Sequence, residues 1–198
     1  MGRIFIMRHG TVENPSGFIY GRLPGYHLSE LGRAQAREAG GFMNKIPLDL
    51  IIASSLERAQ ETAQIVAELN SNHPPIVTDD RVIECDFGRH TSLHSSEYFN
   101  NRDHYWRLQL AEQDGMESPQ TIADRMHSAL VDYAKRYSDK NILIVSHGDP
   151  IAFLLEMIQG QELAPAMTDG YPQKASISEI DLPAGQARNI FNPTNPQF

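Results

Sequence analysis

A chain of 198 residues, 40% hydrophobic and 21% charged, holds enough apolar material for one ordinary domain and too little for two independent cores. Its 25 acidic residues against 17 lysines and arginines give a formal net charge of -8, which argues against a nucleic-acid binder and against docking on an anionic membrane. The single cysteine, Cys85, excludes a disulfide framework and any zinc site built on several thiolates.

In chain order, Ile4–Met7 is a brief apolar run, too short for a secretory signal. It reads as a strand without polar alternation, the pattern of a strand covered on both faces of a parallel sheet. Leu28–Phe42 follows as an amphipathic helix that starts near Ser29 and ends at Gly40-Gly41 or just beyond. Leu48–Ala53 is a second strand, after which Ser54-Ser55 caps a helix carrying Ala59, Thr62, Ala63, Val66 and Leu69. Ile76–Thr78 is a third strand. The stretch Thr91–Met116 breaks this rhythm, with Tyr98, Phe99, Tyr105 and Trp106 among polar residues. It is expected as a helical excursion over one end of the sheet, with Trp106 packed as core. Ser118-Pro119 is an N-cap followed by a first-turn proline, opening a helix with Ile122, Met126, Leu130 and Ala134 on one face.

Ile142–Val145 is the fourth strand, and Asp149-Pro150 repeats the capping device ahead of Ile151–Ile158, which Gly160 ends. Ala175–Leu182 adds an edge strand, and 189–198 is an extended tail. Alternating strands and helices predict a single α/β domain over residues 1–198, a three-layer α/β/α sandwich around a mostly parallel mixed sheet. No apolar run exceeds Ile151–Leu155, so a soluble, cytoplasmic protein without a membrane partner is expected.

One internal echo bears on chemistry. Ile4-Phe5-Ile6-Met7-Arg8-His9-Gly10 and Ile142-Leu143-Ile144-Val145-Ser146-His147-Gly148 share one form, four apolar residues and a polar one before His-Gly. Each delivers a histidine to the carboxyl end of a buried strand, the edge where open α/β sheets bind ligands. Were the strands neighbours, about 4.8 Å apart, the two imidazoles would face each other. The plainer alternative is two unrelated histidines, each bonded to a loop carbonyl. Arg8 lies at the same edge, and Arg58 falls in the first turn after Ser54-Ser55. Two guanidiniums, two imidazoles and a helix N-terminus form a positive pocket on an acidic protein, suited to a phosphoryl group.

Arg8-His9-Gly10, Ser54-Ser55-Leu56-x-Arg58-Ala59-x-x-Thr62-Ala63, Glu84 with Gly88, and Ser146-His147-Gly148 together resemble the histidine phosphatase superfamily, the phosphoglycerate-mutase-like proteins. Gly32-x-x-Gln35-Ala36 and Ala175-Ser176-Ile177 extend the likeness over residues 4–182. The resemblance implies that neutral His9 attacks phosphorus and carries a phosphohistidine intermediate. It gives Arg8, Arg58 and His147 the transferring oxygens, and makes Glu84 the general acid and then base, with a pKa raised by burial. Ser146 is expected as a structural hydrogen bonder. The scheme requires no metal and no cofactor, takes a small phosphorylated substrate, and leaves the oligomeric state open, a dimer included.

Departures from the family pattern cluster where a substrate would be touched beyond its phosphate. Thr11-Val12-Glu13-Asn14-Pro15 puts proline in the slot that relatives fill with asparagine, and His90-Thr91-Ser92 follows Gly88 where a Trp-Glu-Gly triplet is common. Asn14, Tyr20, Gly21 and Arg22 are the candidate substrate contacts; Arg22 either binds a second anionic group or is merely solvated. A phosphomonoester hydrolase leads, with a phosphoglycerate mutase as runner-up, since the mutases the resemblance brings in carry larger insertions after the Glu84 region. A metal hydrolase built on His90 and His94, and a non-catalytic phospho-ligand binder, are the other classes. Cys85 lies beside Glu84 with no part assigned to it.

Overall fold

The computed structural model describes residues 2–101, 106, 113–163 and 170–196. Tyr105 and much of the 91–116 stretch therefore lie outside the described residues, as do 197–198 of the expected tail. Six strands form one sheet: β1 (Ile4–Arg8), β2 (Leu50–Ala53), β3 (Ile76–Thr78), β4 (Ile142–Ser146), β5 (Ile177–Asp181) and β6 (Gln186–Phe191). Their order is β3-β2-β4-β1-β5-β6. The first four in that order are parallel, whereas β5 runs antiparallel to β1 and β6 antiparallel to β5. The helices are α1 (Glu30–Met43), α2 (Glu57–Leu69), α3 (Ser95–Asn100), α4 (Pro119–Arg136) and α5 (Gly148–Ile158).

Side chains on successive strand residues point to opposite faces, and the core divides accordingly. Phe5, Met7, Ile51, Ala53, Leu143 and Val145 pack with Ala39 and Met43 of α1 and Ala63 and Val66 of α2. Ile6, Ile52, Ile142 and Ile144 pack on the other face with Met126 and Leu130 of α4 and Ile151 and Leu154 of α5. The result is an α/β/α sandwich whose central strands are buried on both faces, as their unbroken apolar runs require. A third cluster holds Cys85, Phe87, Tyr98, Trp106, Met116, Ile122 and Phe153. Trp106 is core: its indole N–H donates to the Tyr98 hydroxyl at 2.6 Å, and its ring meets Phe87 and Phe153 edge to face.

The structure corrects several expectations. Ala175–Leu182 holds no edge strand, because β5 lies between β1 and β6. The true edge strand takes residues 189–191, expected as tail, and lacks an apolar pattern since its residues are half-buried or exposed. The α1 helix does end just beyond Gly40-Gly41, at Met43, and Gly40 sits where α2 crosses, since a Cβ there would meet Leu69. Ser54-Ser55 do not cap α2; its N-cap is Leu56, with no side-chain hydrogen bond. Asp149 does not cap α5 either. The helix begins at Gly148, with His147 in the cap position and Asp149 in the first turn. Ser118 does cap α4 and Ser29 caps α1, each accepting from a backbone N–H three residues on. His90 and His94 share no helical face: His90 closes a single turn and His94 is the N-cap of α3.

Two α1 glycines give a test of opposite signs. A Cβ on Gly32 would overlap the Thr11 carbonyl oxygen, whereas one on the exposed Gly41 would meet nothing within 4 Å. Gly41→Ala is therefore expected to stabilise by up to about 1 kcal/mol, from helix propensity. Gly32→Ala is expected to destabilise by about 1–3 kcal/mol through overpacking. Urea denaturation of both variants checks this, and a stabilised Gly32→Ala would refute the packing of the Thr11 loop on α1.

Candidate active site

β1 and β4 are neighbours in parallel register, with Arg8 opposite Ser146. One further residue on each side, the His9 N–H donates to the Ser146 carbonyl at 3.0 Å, so the ladder carries both histidines past the sheet edge together. Their ring centroids lie 5.0 Å apart, inclined at 59°. β2 ends beside them, with the Ser54 N–H on the Val145 carbonyl at 3.1 Å. The next residues enter α2, whose second position is Arg58.

His9 is buried, and its Nδ1 lies 2.7 Å from the Gly10 carbonyl. A carbonyl only accepts, so Nδ1 carries the hydrogen and Nε2 keeps its lone pair. Burial above all, then the positive charges of Lys174, Arg58, His147 and Arg8, hold the His9 pKa well below its usual value. His147, also buried, contacts the Ser54 hydroxyl through Nε2 at 2.8 Å and approaches the Glu84 carboxyl through Nδ1 at 3.7 Å. Its pKa is lowered in the same way, by burial first and then by Arg58 and Lys174.

Both guanidiniums are buried and only partly satisfied. Arg58 donates to the Gly21 carbonyl at 2.7 Å and lies over the Tyr20 ring, 4.8 Å from its centroid. Arg8 donates to the Pro172 carbonyl at 2.6 Å and lies 5.2 Å from the Tyr171 ring centroid. Arg8 Nε, Arg58 Nε, Arg58 NH1 and His147 Nδ1 have no hydrogen-bond partner among the described residues. Buried donors left so are costly, and a tetrahedral anion offers the acceptors they lack. Gly148 is what allows this closeness, since a Cβ there would overlap the Tyr171 hydroxyl and stand 3.0 Å from the Arg8 guanidinium carbon.

Glu84 is buried, with Oε1 accepting from the Cys85 N–H at 2.9 Å. Burial, then the neighbouring Asp149 carboxylate, raises its pKa. Cys85 is buried behind it, and burial pushes its thiol pKa well up, which keeps it protonated. Ser146 is held structurally, donating to the Val82 carbonyl at 2.7 Å.

Of the outer candidates, Tyr20 and Gly21 brace Arg58, whereas Arg22 and Asn14 engage loops around the site. Arg22 turns to the Glu84 loop, donating to the Glu84 backbone carbonyl at 2.8 Å and to the Glu117 carboxylate at 2.6 Å. Asn14 donates its amide to the Phe18 carbonyl at 2.9 Å, closing its own loop. Gly21 takes a φ of 44° that turns its carbonyl to Arg58, and Tyr20 stacks on Tyr26 with centroids 4.5 Å apart. Lys174, Asp149 and Tyr171 belong to the site and escaped sequence reasoning. Lys174 is buried, and the Tyr171 hydroxyl donates to Asp149 at 3.1 Å. Ligand atoms of His9, Glu84 and His147 lie within 4.8 Å of one another, close enough to hold a metal ion. Arg8, Arg58 and Lys174 surround them, however, and the electrostatics favours an anion. A groove of about 800 Å³ lined by Arg3, Lys135, Glu179, Leu182 and Arg188 contains none of these residues.

Residues 4–190 match the family model of the histidine phosphatase superfamily, branch 1. A Mycobacterium tuberculosis protein, Rv0525, is 34% identical over 166 residues, covering 81% of this chain and 80% of its own length. The Bacillus subtilis phosphatase PhoE is 31% identical over 183 residues, covering 92% and 89%. Among solved structures, a mycobacterial glucosyl-3-phosphoglycerate phosphatase complexed with VO3 superposes with a TM-score of 0.76 at 26% identity, covering 98% of this chain and 100% of that one.

The lowered histidine pKa values have a direct readout. Long-range proton–nitrogen NMR is expected to show His9 neutral with the hydrogen on Nδ1. Neither His9 nor His147 is expected to titrate near 6.5, because lowered values keep both rings neutral until the pH is well below that. A charged His9 ring at pH 6.5 would contradict the assigned burial and tautomer.

Proposed function

This chain belongs to the histidine phosphatase superfamily, and we propose that it is a phosphomonoester hydrolase working through a phosphohistidine on His9. The observation that carries the reading is the buried His9 ring, its Nδ1–H fixed on Gly10 and its Nε2 left with a lone pair, 5.0 Å from the His147 ring at an edge where Arg8 and Arg58 keep donors without acceptors. Nε2 attacks phosphorus, the bond from phosphorus to the alcohol oxygen breaks, and its electron pair leaves on that oxygen. Glu84, whose pKa burial raises, gives the departing oxygen its proton. The Glu84 carboxylate then takes a proton from water, whose oxygen attacks phosphorus. The P–N bond breaks, and its electron pair returns to Nε2.

Arg8 and Arg58 supply the charge-assisted hydrogen bonds for the transferring oxygens. The Ser54 hydroxyl accepts the Leu56 N–H and gives its own proton to His147 Nε2, which leaves Nδ1–H as a further donor. Tyr20 and Gly21 shape the pocket by bracing Arg58, and Arg22 and Asn14 act through their loops. No step needs a metal or a cofactor. The substrate is a small phosphorylated molecule. Relatives named as phosphatases support hydrolysis, and others named as probable phosphoglycerate mutases make transfer back to a second alcohol the alternative.

Trapping acid-labile phosphate on the wild-type protein and locating it by mass spectrometry tests the intermediate, which is expected on His9. His9→Ala should abolish turnover of p-nitrophenyl phosphate without loss of fold, and unchanged turnover would sink the mechanism. Glu84→Gln should slow an alkyl phosphate by roughly 10²–10⁴-fold, the scale of general acid–base catalysis, and p-nitrophenyl phosphate less. The pH profile has two limbs. Turnover falls at high pH as Glu84 loses its proton and at low pH as His9 gains one, above and below their respective ordinary ranges. Incubation with a phosphoglycerate separates the classes: free phosphate means hydrolase, and a new isomer means mutase.

A further inference from the structure

Lys174 comes from a segment that carries no catalytic motif, yet the backbone around it is fastened to the site. The Arg8 guanidinium donates to the Pro172 carbonyl at 2.6 Å, and the Arg8 backbone N–H donates to Ser176 at 3.2 Å. Between them the Ala175 N–H is shared by the Arg8 and His9 carbonyls, at 3.1 and 3.2 Å. Ala175 takes a left-handed φ of 59°, a conformation that costs a non-glycine residue on the order of 1 kcal/mol and needs its surroundings to hold it. These bonds do so, and they hold the backbone on either side of the buried Lys174 to the end of β1, next to His9.

The Lys174 side chain is 8% exposed, and among the described residues no hydrogen bond or ion pair engages its ammonium. Its charged surroundings are Arg8, Arg58, Glu84 and Asp149, all at the same sheet edge. Its charge and those of Arg58 and Arg8 act on the His9 ring. A lone buried ammonium among guanidiniums is unfavourable, and burial with those like charges pushes its pKa well below the usual lysine value. A dianion in the pocket reverses that penalty.

We propose that Lys174 is a catalytic residue whose ammonium binds the transferring phosphoryl group beside His9, as a third fixed cation with Arg8 and Arg58. This rests on the phosphoryl-transfer reading above. The three cationic side chains share the sheet edge that carries His9, which favours the phosphoryl oxygens over a second anionic group on the alcohol.

Lys174→Met and Lys174→Arg test this, with orthovanadate binding followed by calorimetry and kcat/KM measured on p-nitrophenyl phosphate and O-phosphoserine. Lys174→Met should weaken vanadate binding roughly ten- to a hundred-fold, the scale of one hydrogen bond to a charged group. It should lower kcat/KM equally on both esters, and Lys174→Arg should recover most of each loss. The unliganded Lys174→Met protein should melt no lower than wild type, since an unpaired buried charge has been removed. Undiminished vanadate binding in Lys174→Met overturns the proposal. So does a loss confined to phosphoserine, which would assign the ammonium to the alcohol's carboxylate. Should the wild-type protein bind no vanadate and cleave neither ester, the phosphoryl-transfer reading itself falls and takes the role of Lys174 with it.

Discussion

The pairing of β1 with β4 is the constraint on which the rest of the site depends. With Arg8 opposite Ser146, two strands buried on both faces deliver their histidines to one edge at one height. Strand side chains alternate with a period of two, so a slip of one residue would turn one imidazole to the opposite face. Such a slip would also move Phe5, Ile6 and Met7 out of their packed layers, at the cost of several buried side chains. The core therefore enforces the 5.0 Å approach of His9 and His147 more strongly than any contact between the rings.

Around that pair, the protein anchors its cations without neutralising them. Each buried guanidinium has one carbonyl anchor and one aromatic face, Gly21 and Tyr20 for Arg58, Pro172 and Tyr171 for Arg8. Both keep hydrogens to give. The Glu84 loop follows the same logic from the acidic side. Arg22 and Arg125 meet on Glu117 and both donate to the Glu84 backbone carbonyl, at 2.8 and 3.2 Å. They fix the loop while the Glu84 carboxyl accepts from the Cys85 N–H and faces His147 Nδ1 at 3.7 Å. A guanidinium on the carboxyl itself would pull its pKa down, whereas burial beside Asp149 pushes it up.

Much of this was legible because strand-end histidines and a first-turn arginine sit in short motifs whose place in an α/β sheet follows from local pattern. His9, His147, Arg8, Arg58 and Glu84 converge as their motifs imply. What escaped depends on long-range contact. Lys174 reads as an ordinary loop lysine until the Ala175 N–H is seen astride the Arg8 and His9 carbonyls. Arg22 reads as a rim cation until Glu117, 95 positions away, takes its guanidinium. Asp149 looks like a cap before a proline, but Tyr171 claims its carboxylate. Strand β6 has no apolar alternation to betray it, since an edge strand with half-buried or exposed residues needs none.

The position of β1 in the sheet also bears on how the chain folds during synthesis. Of the six described strands β1 comes first in sequence yet lies inside the sheet, and its two partners, β4 and β5, begin only at residues 142 and 177. Until those residues emerge, Ile4–Arg8 has no strand to pair with and presents an open apolar edge. Contacts of such sequence separation form slowly, and an unpaired strand invites association with other chains in the interval. β2 and β3 can pair early, but the cationic pocket needs Arg8 from the start of the chain and the Pro172 carbonyl from near its end. The anchoring of Arg8 in the site therefore waits on a segment 164 positions further along the chain.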